Sequence, residues 1–246
     1  MPGRVHIGTS GWHYEHWIGP FYPDGISAKD MLGFYAEHFS TVEINNSFYR
    51  LPSLAAAKSW AAQVPKDFVF ACKASRYTTH VKRLKDAPKS FEKFFPRIKP
   101  LGRKLGPVLF QTPPHFPLDV ARLDKFIKAL PKRRIYAFEF RDPRWFTEEV
   151  RAVLAKRNCA FCIFDIAGLQ SPEWLTADFA YLRLHGPGEK YQGSHDDKSL
   201  RQWARLIRRF TRKGADVYCY FDNDQAGYAP KDALRLKKML RRTQMK

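Results

Sequence analysis

The sequence predicts an α/β fold, a single (β/α)8 barrel of the TIM type occupying residues 1–246. Three observations predict it. Eight short apolar runs recur along the chain, helical patterns fill the gaps, and no linker or shift in composition divides the 246 residues. A barrel of this kind takes about 250 residues as one domain.

The runs are Val5–Gly8, Thr41–Ile44, Phe68–Lys73, Val108–Gln111, Ile135–Phe140, Ala160–Asp165, Ala180–His185 and Asp216–Asp222. Each is rich in β-branched or aromatic residues and bounded by turn formers. Between them, Ser27 with Asp30 three residues on reads as an N-cap for a helix over Ala28–Phe39. Ser53, Asp119 and Thr147 open further helices, and Glu148 and Glu149 suit the N-terminus after Thr147. Residues 197–213 place Leu200, Trp203, Ala204, Ile207 and Phe210 at helical spacing with arginines opposite. Pro230 belongs in the first turn of a last helix reaching about Arg242. An open doubly wound sheet is the competing fold, but no Gly-x-Gly-x-x-Gly turn follows the first run.

With 44% hydrophobic and 15% aromatic residues, a packed core is expected and disorder is not. Neither a secretory leader nor a run of about 18 apolar residues occurs, so a soluble, cytoplasmic protein without membrane contact is expected. Cys72, Cys162 and Cys219 lie in apolar runs and Cys159 just before one. Buried reduced thiols are therefore expected, and Cys159-x-x-Cys162 has no second pair to complete a zinc site.

Charge is the unusual feature. There are 43 Lys+Arg against 24 Asp+Glu, a formal +19, with nine basic residues in 82–104, six in 122–134, six in 201–213 and seven in 231–246. Such helical clusters coat the outside of a barrel and attract polyanions without selecting among them.

Alternation along strands then gathers the polar residues. In a barrel one parity faces inward and the other meets the helices. If Leu182 and Leu184 face the helices, Tyr181, Arg183 and His185 face inward. The same logic gives Thr41, Glu43 and Asn45; Val69, Ala71 and Lys73; Ala137, Glu139 and Arg141; Phe161, Ile163 and Asp165; Tyr218, Tyr220 and Asp222; and Gln111, Gly8 and Ser10. The polar member is repeatedly the last inward position, which builds a pocket at the C-terminal ends of the strands. Glu43, Lys73, Glu139, Asp165 and His185 are the candidate catalytic groups. Ser10, Trp12, Tyr14, Asn45, Tyr49, Gln111, Arg141, Arg183, Tyr191, Asp222 and Asn223 are the candidate substrate-binding groups. The alternative is a set of ion pairs, such as Glu139–Arg183 or Glu43–Lys73, that closes the barrel top.

Beyond the strand ends, the stretches 9–17 and 45–52 are rich in aromatic residues, suited to stacking on sugars or bases or to packing the loops, as for Trp17, Phe21 and Phe48. The glycine-containing loops at 185–188 and 223–227 follow the last two runs, where barrels often hold phosphate.

Gly-Thr-Ser-Gly-Trp at 8–12, Phe21-Tyr22-Pro23, Val42-Glu43-Ile44-Asn45 with Phe48-Tyr49, Lys73-Ala74, Thr79-His80 and Phe110-Gln111 resemble the YecE-like proteins, domain-of-unknown-function family 72. Glu139-Phe140-Arg141 with Trp145-Phe146, Arg183-Leu184-His185-Gly186 and Tyr220-Phe221-Asp222-Asn223-Asp224 continue the match in order over nearly the whole chain. Asp222 departs from the asparagine more usual in that family, which alters the charge balance of the mouth. The resemblance implies a barrel and brings no reaction.

Three functions follow from the residues. The first is an enzyme acting on a phosphate-bearing substrate, nucleic acid foremost or a phosphorylated small molecule, with Arg141, Arg183 and Lys73 on phosphate and Glu43 or Glu139 as general base. The second is a carbohydrate hydrolase or isomerase using Glu43 and Glu139 as acid and base. The third is a non-catalytic binding protein whose mouth is pinned by ion pairs. No cofactor is expected. A three-metal site is disfavoured because only His6 and His185 fall in inward slots, which leaves a single divalent ion on Glu43, Asp165, Asp222 or His185 as the metal option. Nothing in the sequence sets an oligomeric state.

Overall fold

In the computed structural model, which describes residues 1–189 and 191–241, the strands are β1 (Val5–Thr9), β2 (Thr41–Ile44), β3 (Val69–Lys73), β4 (Leu105–Gln111), β5 (Tyr136–Glu139), β6 (Ala160–Ile166), β7 (Leu169–Gln170), β8 (Phe179–Leu184) and β9 (Asp216–Phe221). All but β7 are hydrogen-bonded in parallel in the order β1-β9-β8-β6-β5-β4-β3-β2. The seam between β1 and β2 is drawn together at its upper end, where Ser10 bridges Glu43 and Gly11 N–H donates to the Glu43 carbonyl at 2.8 Å. Gly8 permits this approach, because a Cβ there would lie 2.2 Å from the Thr41 carbonyl oxygen. The result is the expected eight-stranded barrel.

The helices among the described residues are α1 (Met31–His38), α2 (Leu54–Gln63), α3 (Ala87–Ile98), α4 (Val120–Lys128), α5 (Glu148–Lys156), α6 (Asp197–Arg212) and α7 (Tyr228–Arg241), together with single-turn pieces. Ser53, Asp119 and Thr147 cap as expected, each side chain accepting from the N–H three residues on. Ser27 does not. Its hydroxyl bonds to the Asp30 carboxylate and the helix starts at Met31, three residues later than expected. The end of the last helix at Arg242 lies outside the described residues.

A second correction concerns the link from β6 to β8, where a helix was expected. Residues 166–179 form a strap that turns at Ala167-Gly168 into β7, which pairs antiparallel with β6. Two strap hydroxyls serve the strand directly: Phe161 N–H donates to Thr176 Oγ1 at 2.7 Å and Phe164 N–H to Ser171 Oγ at 2.8 Å. Trp174 packs on Phe161 at 4.9 Å between ring centroids, in the layer helices occupy elsewhere.

Two apolar regions result. The outer one, between strands and helices, contains Val42, Ile44, Phe110, Phe138, Leu182 and Leu184. Inside the barrel lie Ala71, Leu109, Ala137, Cys162, Tyr181 and Tyr220. The inward parity is therefore as expected on β2, β3, β4, β5, β8 and β9. On β6 it is reversed: Ala160 and Cys162 face inward, while Phe161 and Ile163 face out. All four cysteines are buried and unbridged. Exposed arginines of α6 (Arg201, Arg205, Arg209) stand opposite its buried Leu200, Ala204 and Ile207. No helix among the described residues is long and apolar enough to cross a membrane.

Candidate functional site

Arg183 stands at the centre of the barrel's C-terminal end, with none of its side chain exposed. β8 turns it inward because its neighbours Leu182 and Leu184 satisfy the outer layer. Its Nε and Nη2 donate to Glu43 on β2 (2.9 Å from Nη2 to Oε1), Nη1 donates to Glu139 Oε2 on β5 at 2.9 Å, and Nη2 reaches Asp222 Oδ2 after β9 at 2.8 Å. One guanidinium thus ties three strands, using the planar fork that lysine lacks.

Each carboxylate has further partners. Glu43 accepts from Ser10 Oγ and from Tyr181 Oη, both at 2.6 Å, and Ser10 Oγ also lies 3.3 Å from Arg183. Glu139 accepts from Arg141 Nε at 2.5 Å. His185 Nδ1 lies 2.9 Å from Asp222 Oδ2, while Nε2 faces Arg141 and Arg183 nitrogens at 3.4 Å. Burial, followed by the Arg183 charge, lowers the imidazole pKa against the opposing pull of Asp222. Burial works to raise Glu139 and Asp222, but the arginines beside them win and hold both carboxyls well below the usual carboxylate range.

Lys73, at the end of β3, is different. It is buried, its Nζ sits 4.5 Å from the centroid of the Phe48 ring, and that Nζ makes no hydrogen bond or ion pair with any described residue, although the Lys73 carbonyl accepts from Ser47 Oγ at 2.6 Å. Burial, reinforced by Arg183, lowers its pKa to about 8. Across the rim, Arg141 keeps about a tenth of its side chain exposed and donates to Tyr191 Oη at 3.2 Å. Tyr191 holds a left-handed backbone (φ 68°), uncommon for a bulky residue, and packs edge-on to His185. Gln111 is buried on β4 with its amide donating to the Thr112 carbonyl at 2.7 Å.

The structure therefore brings together Ser10, Glu43, Lys73, Gln111, Glu139, Arg141, Arg183, His185, Tyr191 and Asp222 from the expected set. It places five others elsewhere. Asp165 lies outside the barrel wall, because β6 has the opposite parity, and lines a cleft against α6 with Ser171 and Trp203. Trp12 packs in the outer layer, edge-on to Trp60 of α2 at 5.3 Å. Asn45 lines the cleft beside that pair. Tyr49 points to solvent at 77% exposure. Asn223 braces a loop, donating to the Gly193 carbonyl at 2.8 Å and to Asp232 at 2.9 Å. Tyr14 sits between the two regions, its hydroxyl on the Ser10 carbonyl at 2.8 Å, its ring along the Trp12–Trp60 cleft. Trp17 and Phe48 pack the loops, as the second reading of those rings expected.

Sequence reasoning missed two groups. Tyr181 has the inward parity and touches Glu43, but an aromatic residue on a strand carries no sign of its partner. His80, in the loop after β3, packs on Phe48, and burial with Lys73, Arg76 and Arg141 lowers its pKa to about 4. Strand alternation says nothing about a loop, so only its place in the Thr79-His80 motif marked it. Among the described residues, no group of three His, Cys, Asp or Glu side chains is placed to hold a metal ion. Arg183 and Arg141 form the arginine ion pairs of Glu43, Glu139 and Asp222.

A family model described as "Protein of unknown function DUF72" matches residues 6–246. The chain is similar to the UPF0759 protein YecE of Escherichia coli K12, 30% identical over 145 residues, which cover 58% of this chain and 51% of that protein. It thus spans about half the length of that relative. The UPF0759 protein YunF of Bacillus subtilis 168 is 24% identical over 96% of this chain and 94% of its own. The crystal structure of a DUF72 family protein from Thermotoga maritima superposes with a TM-score of 0.88 at 30% identity, covering 97% of this chain and 99% of the other.

Proposed function

Since the chain belongs to the DUF72 family, in which the fold comes with no assigned reaction, we propose from its own geometry that the barrel mouth is an active site for a phosphate-bearing substrate. The observation that carries this is Lys73, a buried amine in the mouth that has no carboxylate partner among the described residues while each acid around it is already bridged. An incoming anionic group supplies the missing counter-charge, and Arg141, the exposed end of the same cluster, adds a planar donor set beside it.

Reactivity falls to the same amine. Glu43 and Glu139 are saturated by arginine, serine and tyrosine donors, so the two-carboxylate glycosidase reading loses its free acid and base. With its pKa lowered to about 8, Lys73 is mostly the ammonium at neutral pH, the form that pairs with an anion, and its free-base fraction, which grows as pH rises through 8, accepts a proton from a substrate hydroxyl or water. Nucleic acid is the leading substrate, on the strength of the +19 charge that concentrates polyanions at the surface. Because Glu43, Lys73, Glu139, Arg183, His185 and Asp222 are buried, the mouth suits a terminal phosphate or a single nucleotide better than a duplex.

The bridged carboxylates also favour a second reading, a binding protein without catalysis. Calorimetric titration with inorganic phosphate and with a 5′-phosphorylated oligonucleotide, over a salt series, tests both. Binding lost in Lys73→Met and Arg141→Ala, together with conversion of the oligonucleotide that needs Lys73, supports the enzyme. Binding lost in both variants without conversion by the native protein supports the binding module. Absence of binding at low salt, or binding indifferent to both substitutions, removes the mouth from consideration.

A further inference from the structure

Beside the mouth, a cleft of about 490 Å³ opens between the loop after β1 and helix α2. Its lining includes Trp12, Tyr14, Leu32, Trp60 and Gln63 of α2, and Asn45, just past β2. Its size falls within the range of small-molecule sites, about 300–1,000 Å³. We propose that this cleft is a second binding site, separate from the mouth, for a flat nitrogen heterocycle of the nucleobase class.

Two independent features point to that ligand. The first is the ring geometry. Trp12 and Trp60 meet edge to face at an interplanar angle of 85°, so their planes lie nearly perpendicular, and both line the cleft. A planar heterocycle stacks on one of them while presenting its edge to another, an arrangement sequence-tolerant base binders use. The second is an unmet polar group. Asn45 Oδ1 is buried and accepts no hydrogen bond from any described residue. Buried amide oxygens are almost always satisfied, and leaving one bare costs free energy that a ligand N–H recovers. The amide sets this acceptor next to its own donor nitrogen, and that pairing matches the edge of adenine, guanine or uracil.

The lining residues also argue against a sugar. They contain no aspartate or glutamate, the acceptors best suited to a dense set of hydroxyl donors. Lys29 is the one formally charged residue among them, so the cleft has no preference for a net cation. A neutral nucleoside meets these terms without a phosphate. The inference therefore stands apart from the reading of the mouth, since each site has its own probe.

The test is calorimetric titration of the full-length protein with adenosine, guanosine, cytidine and uridine, with D-glucose and D-ribose as carbohydrate arms. Saturable binding of at least one nucleoside is expected, with neither sugar binding at the same concentrations. Asn45→Leu and Trp60→Leu should each weaken it tenfold or more, while Lys73→Met leaves it unchanged. Trp60 supports the outer layer, so Gln63→Ala and Asn45→Ser, both mild at partly exposed positions, provide variants that keep the fold. At least a threefold loss is expected in Asn45→Ser. No nucleoside binding to 5 mM-scale ligand (roughly the weakest useful affinity range), sugar binding in its place, or nucleoside binding indifferent to Asn45 and Trp60 overturns the proposal.

Discussion

Replacing Arg183 by methionine should be among the most damaging single changes to this fold, and its pH dependence is diagnostic. The substitution keeps much of the aliphatic stem and removes a guanidinium that contacts Glu43, Glu139 and Asp222 in a site without solvent exposure. Removing one member of a buried ion pair typically costs about 3–5 kcal/mol, because its partner is left uncompensated. Here three acids lose a partner. Arg141 still holds Glu139, His185 still faces Asp222, and Ser10 and Tyr181 still donate to Glu43. A loss near the top of that range, about 5 kcal/mol at pH 7, is a third or more of the stability of a typical domain. The sign with pH follows from proton counting. In the native protein Glu139 and Asp222 have depressed pKa values, so their contribution is present above the unfolded carboxylate range and is lost as pH falls through the folded values. Without Arg183, buried acids take up protons in the folded state more readily than in the unfolded one, so stability rises as pH falls toward 5. Equilibrium urea unfolding of both proteins at pH 5, 6, 7 and 8 measures this. A variant within 1 kcal/mol of the native protein at pH 7, or a deficit that does not shrink at pH 5, would refute the reasoning.

Further outcomes follow from other residues. Lys73→Met should be neutral or stabilising at pH 7, since the folded pKa of about 8 lies below the ordinary lysine value. The cost of the buried charge is full below pH 8 and is relieved as pH rises toward 10.5, amounting to about 3 kcal/mol; urea unfolding of the pair at pH 7 and pH 10 reads the difference. Asp165→Asn should leave phosphate binding at the mouth within twofold of native, as its side chain lies outside the barrel wall; a larger loss by calorimetry would contradict the placement. Tyr181→Phe should cost about 1.5–3 kcal/mol through the lost hydrogen bond to the Glu43 carboxylate, again by urea unfolding. Gly186→Ala should cost about 2 kcal/mol or more, because the glycine has φ 97° and a Cβ would lie 2.2 Å from the Gln192 carbonyl oxygen; a thermal melt suffices to check it.

The barrel was readable because parallel strands buried on both faces write dense apolar runs, and the mouth because polar residues break those runs at fixed parity. β8 shows the rule working: arginine and histidine alternate with Leu182 and Leu184, so only one register is physically sensible. β6 shows where it stops. Ala160, Phe161, Cys162, Ile163 and Phe164 are all apolar, so alternation is silent, and the single acid Asp165 was assigned inward on polarity alone. Ala160 and Cys162 turn inside and Phe161 and Ile163 outside, a packing outcome with no signature in charge. Trp12 and Asn45 were found as ligand-facing types, but the choice between mouth and flanking cleft depends on how the loop after β1 folds over α2. The strap of residues 166–179 lacked a helical repeat, and the expectation of regular units filled the gap with a helix that is not there.

That strap has a consequence for how the cylinder breathes. Most amides of the wall are guarded by a neighbour in the ladder, so releasing one means parting two staves. At Phe161 and Phe164 the guard is a hydroxyl on a connecting segment. Lifting the segment bares those two amides while the staves stay joined, and deuterium should enter there ahead of Tyr181 or Leu182 on the neighbouring strand.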